Sequence, residues 1–337
     1  MKRKCLAFGI ILLFVATGII PSIAHNMEKP SLPTSSGNWL YVGGNGPGNY
    51  TSIQAAINVT SNGDTVFVYD DSSPYKENVA VNKTISLLGE NRNSTIIDGH
   101  ENGCVITLLV DNIRVSNFTI QNAGFNGNED LAGILIYSSS NLISENIITS
   151  DTENGNGYGI ITINSSGNTI ASNVIQNNYH GGIELRGGNN NFITHNLIFN
   201  NTHGSIQIGW SSNNVISENT MIDYCCLGLL ESFTNVIIKN NFIIHGIALL
   251  LTNSGNNTIK QNNFIKEWER IIFFYNILCA SNKGNPKNYW DGNYWYRQRI
   301  LPKLIFNLIK IDDKRGGIHI EVDRHPAQEP YNITEMT

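Results

Sequence analysis

Two histidines and a cysteine recur at one interval in the middle of the chain and could together hold a metal ion. His180, His203 and Cys226 are spaced by 23 residues, and each lies twelve residues after an asparagine that begins a repeated segment. Imidazole nitrogens and thiolates are ligands that zinc and copper accept. If successive repeats stack in register, the three side chains form one column with about 4.8 Å between neighbours. The spacing predicts a zinc or copper site, and three bend residues that bind no metal would give the same spacing.

A second set of residues suits the recognition of sugars. Trp210 follows the segment SIQIG, and Glu184 and Arg186 lie in the corresponding segment GIELR of the preceding repeat. Aromatic rings stack on sugars, and a few placed polar groups then fix the orientation of the ligand. We therefore predict that Trp210, Arg186 and Glu184 bind a ligand, with carbohydrate as the favoured class. Trp290 and Trp295 are predicted instead to seal the end of the core.

A carbohydrate-active enzyme, either a polysaccharide lyase or a glycoside hydrolase, is the alternative to a binding protein. Glycosidases need two carboxylates at a defined separation, and lyases commonly add a carboxylate-bound calcium ion. Glu145 and Glu218 hold the same position in their repeats, but Ser172 and His195 hold it in the two repeats between them. Three repeats correspond to roughly 14 Å, which is too far for a carboxylate pair. The sequence assigns no catalytic residue and favours binding over catalysis, with no cofactor required.

These candidate residues are carried by a repeat in which asparagine recurs at two positions. The segment reads NLISENIIT at Asn141 and NFITHNLIF at Asn191, and seven copies can be aligned from Asn112 to Asn257. Six copies have isoleucine two residues after the first asparagine. The second asparagine of each copy is predicted to form a structural ladder, whose members are Asn117, Asn146, Asn173, Asn196, Asn219, Asn240 and Asn262.

The spacing of the copies predicts a solenoid of short strands. Successive copies begin 21 to 29 residues apart, a period typical of repeats that stack only on their neighbours. The apolar runs are short and β-branched, with a second strand such as GIELR between ladder segments. Asparagine tolerates the left-handed backbone conformation of sharp bends, and stacked asparagines can form hydrogen bonds between coils. The isoleucines are expected to face inward and fill the core.

The ladder, the segment GDTVFVYDDSSPYKENVAVNKTISLLGENRNSTIIDG and the segment NYWDGNYW resemble one known group of repeats. They are similar to the right-handed parallel β-helix repeats of the pectin-lyase-like superfamily, in the NosD-type branch common in secreted archaeal proteins. The resemblance covers roughly residues 38 to 295 and implies an all-β, single-stranded right-handed parallel β-helix of about ten coils. It implies no single activity, because this fold carries many functions. The family label mentions copper, but the sequence has no Met-rich or His-rich tract.

The ends of the chain differ from the repeats. Residues 1–24 combine Lys2, Arg3 and Lys4 with an apolar run and predict a secretory signal peptide. Residues 25–48 are predicted as a linker and first strand, residues 49–281 as the β-helix, and residues 282–337 as an aromatic C-terminal cap and extension. A short amphipathic helix within residues 51–62, with Thr51 or Ser52 as N-cap, is predicted to cover the open N-terminal end of the core.

The net charge and the predicted export limit the classes of partner that we expect. The formal net charge is −5, and removal of a signal peptide with three positive charges would make it −8, which argues against nucleic acid. We expect a secreted or cell-surface protein that contacts a glycan or another component of the cell envelope. Contact with a membrane is expected only through an uncleaved signal segment, and the sequence gives no basis for an oligomeric state.

Overall fold

A computed structural model describes residues 37–124, 131–150, 157–266, 277–282, 287–296, 301–311 and 315–333. The predicted signal peptide lies outside these residues. Within the described residues the chain forms 32 strands and one helix. The fold is all-β, as predicted.

Most strands are only two to six residues long. Those of the N-terminal part are β1 (Trp39–Val42), β2 (Thr65–Val68), β3 (Tyr75–Lys76), β4 (Val79–Val81), β5 (Ser86–Gly89), β6 (Ile96–Asp98), β7 (Ile106–Leu108), β8 (Arg114–Ser116), β9 (Thr119–Gln121) and β10 (Ala132–Ile136). The middle part contains β11 (Leu142–Ser144), β12 (Ile147–Thr149), β13 (Tyr158–Ile163), β14 (Thr169–Ala171), β15 (Val174–Gln176), β16 (Gly181–Arg186), β17 (Phe192–Thr194), β18 (Leu197–Phe199), β19 (Ile206–Gly209), β20 (Val215–Ser217), β21 (Thr220–Ile222) and β22 (Cys225–Leu230). The C-terminal part contains β23 (Val236–Ile238), β24 (Asn241–Ile244), β25 (Ile247–Thr252), β26 (Thr258–Lys260), β27 (Asn263–Lys266), β28 (Ile277–Asn282), β29 (Tyr289–Asp291), β30 (Tyr294–Trp295), β31 (Lys303–Ile311) and β32 (Arg315–Asp323).

The strands form three long sheets, which we call sheets A, B and C. Sheet A joins β1, β2 and every third strand up to β29, sheet B runs from β3 to β30, and sheet C runs from β4 to β31 and ends in β32. All neighbours pair in parallel except β31 and β32, which are antiparallel. Strands β2 to β31 therefore make ten coils with one strand in each sheet. The sequence predicted the parallel coils but only two strands per repeat, because each ladder segment contains two strands rather than one.

The bend inside each ladder segment explains the third strand. In the segment NLISENIIT, Glu145 and Asn146 separate β11 from β12. Glu145 has a φ of +59°, and the equivalent residue His195 has a φ of +55°. A left-handed residue turns the chain sharply between the two strands. The prediction gave this conformation to the ladder asparagine, but the left-handed residue is the one before it. The asparagine acts through its side chain instead.

Buried asparagine side chains connect the coils in two ladders. In the predicted ladder, Asn196 Oδ1 accepts hydrogen bonds from both the backbone N and Nδ2 of Asn173, each 3.0 Å long. Asn219 Oδ1 accepts the same pair of bonds from Asn196, and both side chains are at least 98% buried. The stacking of Asn173, Asn196 and Asn219 is thus confirmed. The first asparagine of each of the last six copies, together with Asn288, forms a parallel ladder of the same kind, whose members are Asn141, Asn168, Asn191, Asn214, Asn235, Asn257 and Asn288.

Asn117 was predicted as a ladder member, and this prediction is wrong. The strand register pairs Val115 with Ile143, so Asn117 stands opposite the bend residue Glu145 and has a φ of +65°. Its neighbour Phe118 occupies the ladder position, and Phe118 N donates to Asn146 Oδ1 at 3.1 Å. The weak first copy therefore aligns one residue later than its asparagines suggest, because a fully buried phenylalanine begins this column.

The core lies inside the coil and is built from stacked aliphatic columns. The predicted isoleucine column is confirmed, since all six members are completely buried: Ile143, Ile170, Ile193, Ile216, Ile237 and Ile259. Near the C-terminal end the columns become aromatic. Phe242, Phe264 and Trp295 stack with ring centroids 4.8 and 4.4 Å apart. Such stacks bury large apolar areas at the end of the core.

The helix α1 (Ile53–Val59) lies at the N-terminal end of the coil, as predicted. Ser52 is its N-cap and accepts a hydrogen bond from Ala55 N, while Ile53 and Ile57 are fully buried. The helix contacts β1, β2 and β4, the first strands of sheets A and C. Among the described residues no helix is long and apolar enough to span a bilayer.

The β-helix continues past residue 281, where the sequence analysis ended it. Strand β29 pairs in parallel with β26, and β30 pairs with β27, so the aromatic segment forms one more coil. Trp290 and Trp295 are 3% and 2% exposed and seal the core as predicted. Two buried carboxylates of β32 then terminate the ladders. Glu321 Oε1 accepts from Asn288 N at 2.9 Å, and Asp323 Oδ2 accepts from the N and Nδ2 of Asn293, each at 3.0 Å.

A short third ladder ends in a buried acid. Asn178 N and Nδ2 donate to Asn201 Oδ1, and Asn201 N and Nδ2 donate to the carboxylate of Asp223 at 2.8 and 3.2 Å. Asp223 is 3% exposed, and burial raises the pKa of its carboxyl group above the ordinary value of 3.8. Hydrogen bonds from Ser205 and Asn201 oppose this shift without cancelling it. The charged form of Asp223 is therefore disfavoured in the fold.

The ladder amides are expected to stabilise the coil strongly. Asn196→Ala should lower the free energy of unfolding by about 3 kcal/mol, because it leaves the buried backbone N of Asn173 without an acceptor and removes one of the hydrogen bonds of Asn173 Nδ2. Asn200→Ala is the matched control, since Asn200 is exposed and its amide bonds only to exposed Asn177. Urea unfolding measures both values. Equal effects of the two substitutions would contradict a stabilising ladder.

Asp223 is expected to make stability depend on pH. Because its folded-state pKa is raised, its stabilising contribution is present below the unfolded pKa and is lost as pH rises through the folded pKa. Asp223→Asn should remove this loss and raise the melting temperature at pH 7 by a few degrees, since an amide can continue the ladder. Melting curves at pH 4 and pH 7 test this, with exposed Asp111→Asn as control. A lower melting temperature of Asp223→Asn at pH 7 would refute the argument.

Candidate functional site

The outer face of sheet C brings together the residues predicted to bind a ligand. Glu184 and Arg186 lie on β16, and Trp210 follows β19 directly. These strands are neighbours, with Ile183 opposite Ile206. His180 and His203 precede the same two strands. The predicted carbohydrate residues and the predicted histidine pair therefore occupy one surface of two adjacent coils, which we call the sheet C site.

Glu184 and Arg186 form a bidentate ion pair in this site. Arg186 Nε lies 2.7 Å from Glu184 Oε1, and Nη2 lies 2.9 Å from Oε2. The two residues alternate along β16, so both side chains point outward on the same face. The Arg186 guanidinium also lies 5.5 Å from the centre of the Tyr158 ring. Burial, and then the negative charge of Glu184, raise the pKa of Tyr158 to about 12, so its hydroxyl remains a hydrogen-bond donor.

Tyr158 begins a stack of flat rings that runs along the coil axis. Its ring centroid lies 5.1 Å from that of His180, and His180 lies 5.3 Å from His203. Tyr179 meets both imidazoles edge-on at 5.4 and 6.1 Å. Burial, followed by the charge of His203, lowers the pKa of His180 from 6.5, which keeps this ring neutral at pH 7. His180 therefore contributes an aromatic rather than a cationic surface to the stack.

Trp210 stands on the other side of the ion pair. Its side chain is 59% exposed, and its Nε1 donates to Glu231 Oε2 at 3.0 Å. Its φ of +50° is uncommon for so large a residue, and the stacked bend residues Gly187 and Glu231 share this left-handed conformation. The coil imposes the bend, and the bend with the Glu231 bond fixes an indole ring at the surface.

The predicted metal column is wrong at its third member. His203 stacks on His180, but the strand register places Cys225 opposite Gly204 and Cys226 opposite Ser205. Cys226 is fully buried in the core, and its Sγ contacts Asp223 O at 3.5 Å. Counted between paired residues, the connection between β21 and β22 is two residues shorter than the connection between β18 and β19. A position counted from Asn214 therefore lies two residues too far along β22. Tyr224, 67% exposed, takes the place after His203.

The described residues do not complete a metal centre at this column. They contain no group of three or more His, Cys, Asp and Glu side chains that could hold an ion. His180 and His203 offer two imidazoles, and His203 Nδ1 lies 3.1 Å from Tyr179 O. Zinc sites need three or four protein ligands, and copper sites combine further N, O or S donors with imidazole. The pair therefore falls short of the ligand set that either ion requires.

The acidic residues weighed for catalysis stay apart. Ser144, Ala171, Thr194 and Ser217 are stacked in register, so the bend residues that follow them form one column: Glu145, Ser172, His195 and Glu218. The two glutamates are separated by two other residues, as predicted, and form no carboxylate pair. Glu218 instead pairs with His195, Oε2 to Nε2, at 2.6 Å.

Sequence reasoning missed Tyr158, Tyr179 and Glu231. Tyr158 was missed because its coil contains a longer insertion. The number of residues from the first asparagine of the copy to Tyr158 therefore differs from the number that leads to His180. Alignment of GIITI with GIELR on the third strand places Tyr158 opposite Gly181, one position after His180, and so beside the histidine pair. Glu231 follows GLL in the same way that Trp210 follows SIQIG.

Comparison with solved structures shows similarity at the level of the fold. The DFA-IIIase mutant C387A from Arthrobacter chlorophenolicus A6 matches with a TM-score of 0.55 and 14% identity, over 77% of this chain and 78% of that one. The enzymatically active domain of tailspike protein 2 from bacteriophage CBA120 matches with a TM-score of 0.50 and 14% identity, over 78% and 41%. The Dettilon tailspike protein, with a TM-score of 0.47 and 15% identity, is matched over 76% of this chain, which spans 61% of that one. No curated protein matches the sequence.

Family profiles match most of the coil. The family described as "Right handed beta helix region" matches residues 132–293, which include the sheet C site. The family described as "Periplasmic copper-binding protein (NosD)" matches residues 34–206. This second match covers 173 of the 337 residues, more than half of the chain. The chain therefore belongs to the NosD family and folds as a right-handed parallel β-helix, as the repeats predicted.

Proposed function

We propose that this protein is an exported binding protein that holds a carbohydrate on the sheet C site. The observation that carries the proposal is the bidentate Arg186–Glu184 pair lying between the ring stack that begins at Tyr158 and the exposed indole of Trp210. Aromatic surfaces on both sides of fixed polar groups match what sugars present, which is apolar C–H faces bordered by hydroxyls.

The polar groups of the site suit hydroxyl recognition. Arg186 presents N–H donors and Glu184 presents acceptor oxygens, so the pair can meet both ends of a sugar hydroxyl. Because each charge already has its partner, a neutral ligand can bind without leaving either charge unpaired. The side chains are 27% and 14% exposed, so both are accessible yet held in place. Pre-organisation of this kind lowers the entropy cost of binding.

Export is part of the same proposal. The family description names a periplasmic location, and residues 1–24 have the composition of a secretory signal. The same description names copper, for which the described residues supply only the His180 and His203 imidazoles at this site. Carbohydrate is therefore the ligand class that the geometry supports better. Binding is favoured over catalysis because both carboxylates at the sheet C site already have partners: Glu184 is paired with Arg186, and Glu231 accepts from Trp210 Nε1.

Glycan-array screening of the purified protein, followed by calorimetry with the glycan that binds, tests the proposal. Trp210→Ala and Arg186→Ala should each weaken binding about ten-fold or more, equivalent to about 1.4 kcal/mol, because each removes a contact surface or a paired donor. Trp39→Ala is the matched control, since Trp39 is 49% exposed but lies on sheet A.

The controls separate the alternatives. Equal losses in Trp39→Ala and Trp210→Ala would exclude the sheet C site, and the absence of binding to any glycan would refute a carbohydrate ligand. New reducing ends released from the bound glycan would show an enzyme instead of a binding protein.

A further inference from the structure

We infer that Thr194 is an activated nucleophile, served by His195 and Glu218, that accepts acyl groups from carboxylic esters. The site lies at the bend between sheets A and B and shares no residue with the sheet C site. Thr194 Oγ1 is 2.8 Å from His195 Nδ1, and His195 Nε2 is 2.6 Å from Glu218 Oε2. Ser217 Oγ donates to Thr194 Oγ1 at 3.0 Å. Hydroxyl, imidazole and carboxylate thus form one continuous chain of hydrogen bonds.

The hydrogen-bond partners determine where the protons lie. A carboxylate has only acceptor oxygens, so the proton on His195 belongs on Nε2, facing Glu218. In the neutral ring Nδ1 then carries a lone pair, and the Thr194 hydroxyl donates to it. Ser217 completes the chain by donating to Thr194. The hydrogen bonds run in the same direction, from hydroxyl to imidazole to carboxylate, as those that activate the nucleophile of a serine hydrolase. The two ring nitrogens of the histidine are exchanged.

The coil holds these groups in place. His195 is a left-handed bend residue with a φ of +55°, its N donates to Ser217 O at 3.2 Å, and the ladder residue Asn196 follows it. Thr194 is half-buried, and the side chain next to it in the preceding coil is the methyl group of Ala171. A small neighbour on the side opposite Ser217 leaves room for an acyl group beside the hydroxyl. His195 and Glu218 remain 49% and 35% exposed, so a substrate can reach them.

The chemical step follows from this arrangement. Thr194 Oγ1 attacks the carbonyl carbon of an ester while its proton moves to His195 Nδ1, and Glu218 stabilises the imidazolium that forms. Collapse of the tetrahedral intermediate breaks the bond to the alkoxy group, which takes the proton from His195 and leaves as an alcohol. Thr194 is then an ester itself. Water activated by the neutral His195 cleaves this ester, giving a carboxylic acid and the free hydroxyl.

Acylation by p-nitrophenyl acetate tests the inference on the full chain. We expect a burst of one p-nitrophenolate per protein and an acetyl group on Thr194, located by tandem mass spectrometry of peptides. Thr194→Val should abolish the burst, and Glu218→Gln should slow it at least ten-fold without moving the label. His195→Gln should slow it by about a hundred-fold or more, as expected for loss of a general base. Thr194→Ser should keep both burst and label.

Thr169→Val is the matched control, because Thr169 lies on the neighbouring strand of the same sheet face but has no histidine beside it. Its burst should equal that of the unmodified protein. A burst that survives in Thr194→Val, or an acetyl group found on histidine or lysine alone, would overturn the inference. Absence of any burst in the unmodified protein and in Thr194→Ser would overturn it as well. None of these outcomes depends on glycan binding.

Discussion

The structure depends on one interaction, the hydrogen bonding of a buried asparagine amide to the asparagine of the preceding coil. Each Oδ1 accepts two bonds, one from the backbone N and one from Nδ2 of its neighbour, as Asn219 does for Asn196. Each Nδ2 also donates to a backbone oxygen of the preceding coil, such as Asn219 Nδ2 to Ile193 O. Buried amides are costly unless they are satisfied, and this arrangement satisfies them only when coils are stacked in register. The ladder therefore selects one register out of many.

A fixed register gives equivalent surface positions the same backbone conformation in every coil. The side chains at these positions can therefore differ from coil to coil. The bend column holds Glu145, Ser172, His195 and Glu218, while the backbone at each keeps a φ between +55° and +59°. The same scaffold that holds Glu, Ser and His side chains there brings His195 Nε2 within 2.6 Å of Glu218 Oε2. On sheet C, it places Trp210 beside Arg186 through the adjacent strands β16 and β19. Both candidate sites thus arise where neighbouring coils carry complementary side chains.

The sequence was sufficient for the features that repeat and insufficient for those that occur once. The isoleucine column, the ladder from Asn146 to Asn262 and the capping helix follow from periodicity and capping rules, because each obeys a local pattern. The position of Cys226 does not follow from periodicity, because the connection between β21 and β22, counted between paired residues, is two residues shorter than in the preceding coil. No asparagine in the sequence marks this shortening. Asn117 was wrongly assigned for the opposite reason: it matches the asparagine pattern of the repeat, but Phe118 occupies the ladder position. Glu321 and Asp323 carry no repeat signal, and only the folded chain shows them meeting Asn288 and Asn293.

The two ladders have a direction, since every amide donates to the coil that follows it, and the last coil therefore needs acceptors with no donors of their own. The carboxylates of Glu321 and Asp323 meet this need, and each also binds an indole N–H, from Trp290 and Trp295 respectively. An amide at either position would present a further N–H group to the next layer and invite another coil to stack. The closing hairpin thus works as a terminator, because the N–H groups of Asn288 and Asn293 already have acceptors and offer no donor to a coil of another molecule.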